Sequence, residues 1–136
     1  MTEDSGEVRH EGGCLCGGVR YVVTGPLQGV IGYHCMQCRR SSGHHVAATC
    51  APTAALSLVS AATLTWYRSS REAERGFCKV CGGNLFWRRL DGADTSIMAG
   101  TLDVPTGLAM EKHIFVRDKS DYYSIDDGLP CLPSWT

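Results

Sequence analysis

Six of the eight cysteines in this 136-residue chain stand in three short clusters: Cys14-Leu15-Cys16, Cys35-Met36-Gln37-Cys38 and Cys78-Lys79-Val80-Cys81. Thiolates one or two residues apart can reach a single tetrahedral ion, each sulfur about 2.3 Å from the metal. One pair fills half a shell, so a closed site needs two pairs brought together by the fold, and one pair is left over. Cys78 to Gly83 and Cys14 to Gly18 both end in Gly-Gly, which suits a tight knuckle turn because glycine takes positive φ without steric cost. Joining these two pairs would clip the N-terminal strand to the middle of the chain, a long-range constraint that stabilises a small fold.

A disulfide framework is the competing use of eight cysteines. It belongs to secreted chains, and the polar, acidic start Met1 to His10 lacks the apolar run of a secretory signal. No window approaches the roughly 18 apolar residues of a membrane span either. A reducing cytoplasmic setting with metal-bound thiolates is therefore expected. Cys50 and Cys131 stand alone and read as a small buried residue and a loop thiol.

The length suits one domain whose core is helped by a metal staple. A net charge of -1 argues against general affinity for nucleic acid or anionic membrane. The paired arginines Arg39-Arg40 and Arg88-Arg89 read as solvated charge, with a local anion site near the second cysteine cluster as the alternative.

Strand signals are short and frequent. Val19 to Thr24 is β-branched and aromatic and stops at Gly25-Pro26. Val30–Tyr33, His45–Thr49, Thr63–Arg68, Arg75–Cys78, Asn84–Arg88, Thr95–Ala99 and Lys112–Val116 follow, punctuated by Gly and Pro. With no long 3.6-residue stripe, the pattern predicts a mainly antiparallel β domain with little helix, confined to turns at Pro52–Leu56 and just after Cys38. The aromatics Trp66, Trp87, Trp135, Phe77, Phe86 and Phe115 read as core or strand-face packing. Asp103 and the pair Asp126-Asp127 read as turn residues.

Cys35 and Cys38 are the pair left over, with His34, His44, His45, Tyr33 and Cys50 as nearby donors. A site short of protein ligands is what catalysis by a metal requires, because an open position takes water or substrate. Gly12-Gly13-Cys14-Leu15-Cys16-Gly17, His34-Cys35-Met36-Gln37-Cys38-Arg39, Arg75 to Leu85, Gly100-Thr101-Leu102-Asp103, His113 to Val116 and Asp126 to Pro130 occur here in one order. In that combination the chain resembles the glutathione-dependent formaldehyde-activating enzyme (GFA) family, whose domain is shared with centromere protein V.

The resemblance covers nearly everything after residue 11. Residues 1-11, polar and charged with only Met1 and Val8 apolar, read as a flexible tail, and the resemblance implies a single zinc domain of β-tent fold at 12-136 with a structural zinc on Cys14, Cys16, Cys78 and Cys81. It also implies a second, catalytic zinc held by a Cys-His-Cys-x-x-Cys motif, which here reads Tyr33-His34-Cys35-Met36-Gln37-Cys38. The first cysteine is a tyrosine. A phenol near pKa 10 is a poorer ligand at neutral pH than a thiol near 8.5. Three outcomes stay open: His34, His44 or His45 completes the shell, Cys35 and Cys38 stay metal-free, or substrate brings the missing sulfur.

The implied activity is a carbon-sulfur lyase that joins glutathione or a similar thiol to formaldehyde or a small aldehyde. Cys35 and Cys38 would be its reactive residues, and Arg39 would meet a substrate carboxylate. The alternative is a non-catalytic zinc-stabilised binding module that has lost the second zinc through Tyr33. A nucleic-acid-binding zinc ribbon is disfavoured by charge, and a thioredoxin-like redox pair by the lack of a βαβ pattern.

Overall fold

The structure, a computed structural model, describes residues 8–136. It is mainly β, as expected, with one short helix and two sheets among the described residues. In chain order the strands are β1 (Arg9–Gly13), β2 (Val19–Thr24), β3 (Val30–Tyr33), β4 (Val46–Pro52), β5 (Leu56–Ala61), β6 (Leu64–Arg68), β7 (Ala73–Cys78), β8 (Asn84–Arg89), β9 (Asp94–Met98) and β10 (Met110–Ile114). The helix α1 (Met36–Ser42) follows β3. A 3-10 turn at Thr53–Ala55 falls inside the expected helical stretch at Pro52–Leu56.

One sheet has three antiparallel strands in the order β1-β2-β5; the other has seven, in the order β10-β3-β4-β9-β8-β7-β6. All pairings in the larger sheet are antiparallel except β10 with β3, which run parallel. The sheet is thus mixed at one end, where the long connection from β9 returns β10 to the edge.

Side chains alternate between the two faces of a strand, and this sorts the interior into two clusters. Val19, Tyr21 and Val23 of β2 pack with Ala51, Leu85, Phe86 and Ile97 in the main core between the sheets. On the other face of the larger sheet, Val46, Ala48 and Met98 pack with Cys38 of α1, Tyr33, Cys35 and Trp87. The first face carries the stability of the fold, and the second carries a cavity.

Two strands lie where the sequence reading had none. Residues 9–11 were expected in the tail, yet Arg9 pairs with Thr24 and the ladder runs to Gly13 opposite Arg20. Residues 1–7 lie outside the described residues. The segment Arg-His-Glu-Gly-Gly has weak strand propensity, so its backbone pairing with β2 decides its conformation. Gly12 is needed there because a Cβ would meet the Thr101 carbonyl oxygen at 2.4 Å and the Tyr21 hydroxyl at 2.5 Å. β5 is the other unexpected strand; it is an outer strand that leaves Leu58 and Val59 exposed, so it lacks a clear buried stripe.

The C-terminal segment returns along β10. Leu132 N–H donates to the His113 carbonyl and Phe115 N–H to the Ser134 carbonyl, which brings Trp135 edge-on to Phe115 with ring centroids 5.5 Å apart. Phe115 has φ 58°, a left-handed conformation that costs a bulky residue about 1–2 kcal/mol.

Candidate metal centre and reactive-thiol cavity

The turn after β1 carries Cys14 and Cys16, while Cys78 ends β7 and Cys81 lies in the turn that leads to β8. Their four sulfurs lie within 4.8 Å of one another, the arrangement expected from the shared Gly-Gly endings. A tetrahedron with 2.3 Å bonds has edges of roughly 3.8 Å. The Cys14–Cys16 and Cys16–Cys78 sulfur separations are 3.7 and 3.6 Å.

Backbone amides already point at these sulfurs. Cys81 N–H donates to Cys78 Sγ at 3.3 Å, Val19 N–H to Cys14 Sγ at 3.3 Å, and the Thr63 hydroxyl lies 3.1 Å from Cys78 Sγ. The Cys81 amide, with Thr63, brings the Cys78 thiol down to about 5, favouring the thiolate that metal binding requires. Gly17 and Gly82 take φ of 83° and 77° in the two knuckles. The site can therefore hold one tetrahedral ion, and these residues fit it without rearrangement.

The third cysteine pair sits differently. Cys35 caps α1, its sulfur accepting from Cys38 N–H at 3.4 Å, and Gly43 ends the helix with φ 87°. The Cys35 and Cys38 sulfurs are 3.2 Å apart. Contact with Cys38 holds the Cys35 thiol down to about 6 against the opposing effect of burial, while the same contact and burial push Cys38 up. Arg75 Nη2 stands 3.9 Å from Cys38 Sγ, and its charge favours the thiolate form of both.

These two thiols open onto a cavity of about 500 Å³ on the second face of the larger sheet. Tyr33, Arg75, Trp87, Phe115 and Trp135 line it along with β4 and β9 side chains. Its volume is in the range of small-molecule sites. Trp87, Phe115 and Trp135, expected as packing residues, thus belong partly to a cavity wall, while Trp66 and Phe86 stack in the core with centroids 6.1 Å apart.

A second zinc of the kind the resemblance implies does not fit here. Besides the two thiols, position 33 offers a phenol that burial raises above its ordinary value and keeps protonated. His34, a candidate ligand by sequence, is fully buried and uses both ring nitrogens: Nδ1 with the Tyr123 hydroxyl at 2.8 Å and Nε2 with His113 Nδ1 at 2.9 Å. His113 Nε2 in turn lies 2.7 Å from Asp127 Oδ2. His44 Nδ1 is engaged by the Tyr122 hydroxyl; His45 stacks on His34 at 4.5 Å with its buried Nδ1 unpaired among the described residues, but it is not gathered with the two thiols. Cys14, Cys16, Cys78 and Cys81 are the one group of three or more ligand side chains gathered among the described residues.

Arg39 also goes elsewhere: its Nε donates to the Asp118 carbonyl at 2.9 Å, and the guanidinium beside the dithiol is that of Arg75. The sequence signal for Arg75 was its place three residues before Cys78 on a strand, which the alternation turns toward the cavity. Asp103, read as a turn residue, pairs with Arg20 at 2.7 Å, and Asp127, read the same way, anchors the histidine chain. Cys50 lies on the cavity wall and Cys131 is exposed.

Fold and site together define a small β domain with a four-cysteine cluster able to hold a metal ion and a separate thiol-bearing cavity. The glutathione-dependent formaldehyde-activating enzyme model matches residues 9–118, and the chain belongs to that GFA family. Among solved structures it is similar to the crystal structure of a Rhodobacter sphaeroides protein, at 26% identity and a TM-score of 0.60, covering 74% of this chain and 97% of that one. No curated protein matches it. No described helix is long and apolar enough to cross a membrane.

Proposed function

We propose that this chain is a one-zinc GFA-type carbon-sulfur lyase that joins glutathione or a similar small thiol to formaldehyde or a small aldehyde inside the cavity. The observation that carries the reading is the Cys35–Cys38 pair opening onto that cavity beside Arg75. Zinc is the ion assigned to Cys14, Cys16, Cys78 and Cys81, since four thiolates at tetrahedral spacing suit it, and its role there is to hold the fold.

In the cavity the Cys35 thiolate adds to the aldehyde carbon, forming a C–S bond while the carbonyl oxygen takes up a proton. Collapse of that hemithioacetal breaks the Cys35 C–S bond, regenerating the Cys35 thiolate, releasing the hydroxyl proton and freeing the aldehyde beside a bound thiol; the substrate sulfur then bonds to the carbon and its proton passes to the product oxygen. Arg75 Nε is buried without a hydrogen-bond partner among the described residues, so a substrate carboxylate is the natural group to meet it. Holding both reactants in one small space supplies the entropic part of the acceleration.

The absence of a third thiolate beside Cys35 and Cys38 favours a second reading, a zinc-stabilised binding module without catalysis. Exchange NMR on glutathione plus formaldehyde separates the two. The lyase reading expects faster exchange with the wild-type chain than in buffer and none with Cys35→Ser; wild-type exchange at the buffer rate at millimolar substrate leaves the binding module. Metal analysis is expected to return one zinc per chain, and two would overturn the one-zinc assignment.

A further inference from the structure

We propose that Cys35 and Cys38 form a dithiol that reduces the disulfide of a low-molecular-weight thiol, a second activity of the same cavity. It uses the cavity assigned above but none of the aldehyde chemistry, so either can fail alone.

The geometry separates the two sulfurs into an attacking and a resolving thiol. Both thiols line the cavity, but Cys35 is half-buried while Cys38 is 7% exposed and packed against Val46, Ala48 and Met98. The more exposed Cys35 is therefore assigned as the attacking thiol. Cys38 Sγ, 3.2 Å from Cys35 Sγ, is placed to attack whatever becomes bonded to that sulfur. With no third ligand gathered around them, the pair is free for this chemistry. The low-lying Cys35 thiol, at about 6, is in its nucleophilic form at neutral pH.

The step balances without a further cofactor. The Cys35 thiolate attacks one sulfur of RS–SR, a protein–SR bond forms, and the first RS⁻ leaves and takes a proton. Cys38 then loses its proton, with Arg75 3.9 Å from its sulfur to favour the thiolate, and attacks Cys35 Sγ. The second RS⁻ leaves as the Cys35–Cys38 disulfide closes. The dithiol gives up two electrons, the substrate becomes two thiols, and a small-molecule dithiol resets the protein. The four metal-site thiolates are withheld from this exchange while they bind their ion.

The test is peptide mapping by mass spectrometry of the zinc-loaded, full-length chain after incubation with oxidised glutathione. The wild-type chain is expected to lose two titratable thiols, found as a Cys35–Cys38 disulfide, with its zinc retained and the thiols restored by dithiothreitol. Cys38→Ser is expected to stop at a glutathionyl group on Cys35, and Cys35→Ser to give neither product. A wild-type chain whose Cys35 and Cys38 stay reduced overturns the proposal, as does modification confined to the metal-site cysteines. So does protection of the pair by a second equivalent of zinc. If Cys38→Ser fails to fold, the wild-type disulfide and its absence in Cys35→Ser decide the question.

Discussion

At the level of single residues, the cysteines divide by what surrounds their sulfurs rather than by spacing. Cys78, the first thiol of one Cys-x-x-Cys motif, and Cys38, the second of another, are both buried, yet Cys78 faces three other thiols and Cys38 faces one. Cys78→Ser removes a ligand whose binding energy is folding energy, apparent values for such sites being about 10–16 kcal/mol. It is expected to give a zinc-free, largely unfolded and poorly soluble chain by circular dichroism and metal analysis. Cys35→Ser is expected to keep its zinc and lose about 1 kcal/mol or less in urea unfolding. Equal stability of the two variants would contradict the division.

Reactivity at Cys35 follows the same local logic. Because contact with Cys38 and the nearby Arg75 charge hold its thiol down to about 6, alkylation of Cys35 should reach half its maximal rate near pH 6. Arg75→Gln removes a charge that favours the thiolate, so it should move that midpoint upward. Iodoacetamide labelling followed across pH by mass spectrometry reads both values, and a wild-type midpoint near the ordinary 8.5 would show that the cavity does not tune this thiol. The gathering of Cys14, Cys16, Cys78 and Cys81 was legible in the sequence because spacing and glycine are local signals. Arg75 was not, since its proximity to Cys38 arises from the packing of β7 near α1.

At the scale of elements, eight of the ten strands follow from β-branched and aromatic runs between Gly and Pro, and the two that do not are held by partners. β1 has almost no intrinsic preference and is defined by its ladder with β2 and by the Asp103 N–H bond to the Glu11 carbonyl at 2.9 Å. β5 follows the 3-10 turn at Thr53–Ala55 and leans on β2 by only one face. The parallel β3–β10 pairing was equally invisible, because strand direction is set by how the long connection travels and not by composition. Since Gly12 sits between the Thr101 carbonyl and the Tyr21 hydroxyl, Gly12→Ala should push β1 off its partner. The expected cost is about 2–3 kcal/mol in urea unfolding, with amide exchange quickened first in residues 9–13. A neutral Gly12→Ala would mean that β1 is not packed as described.

For the molecule as a whole, the larger sheet separates a face that holds the fold from a face that holds the cavity, and the histidine chain ties the end of β3 to β10. Neutral rings satisfy the chain completely: His113 donates to Asp127, His34 donates to His113, and Tyr123 donates to His34. Burial first, then the neighbouring His45 and His113, lower His34 to about 4. A histidine whose folded pKa lies below its unfolded value near 6.5 costs nothing above that value. It takes stability away as pH falls from about 6.5 toward about 4, because the unfolded chain binds the proton first. By pH 5 the loss from His34 is about 2 kcal/mol, a figure obtained from the two pKa values by linkage. Metal binding at the four-cysteine site also weakens in acid as its thiolates protonate, and His45, lowered by burial too, adds its own loss, so the wild-type curve alone would mix several causes. His34→Gln separates them: between pH 7.5 and pH 5, urea unfolding of the variant should lose about 2 kcal/mol less than the wild type, at equal zinc content. If both chains lose the same amount, His34 is not held neutral by its surroundings, and the acid sensitivity belongs to other groups, the cysteine site and His45 among them.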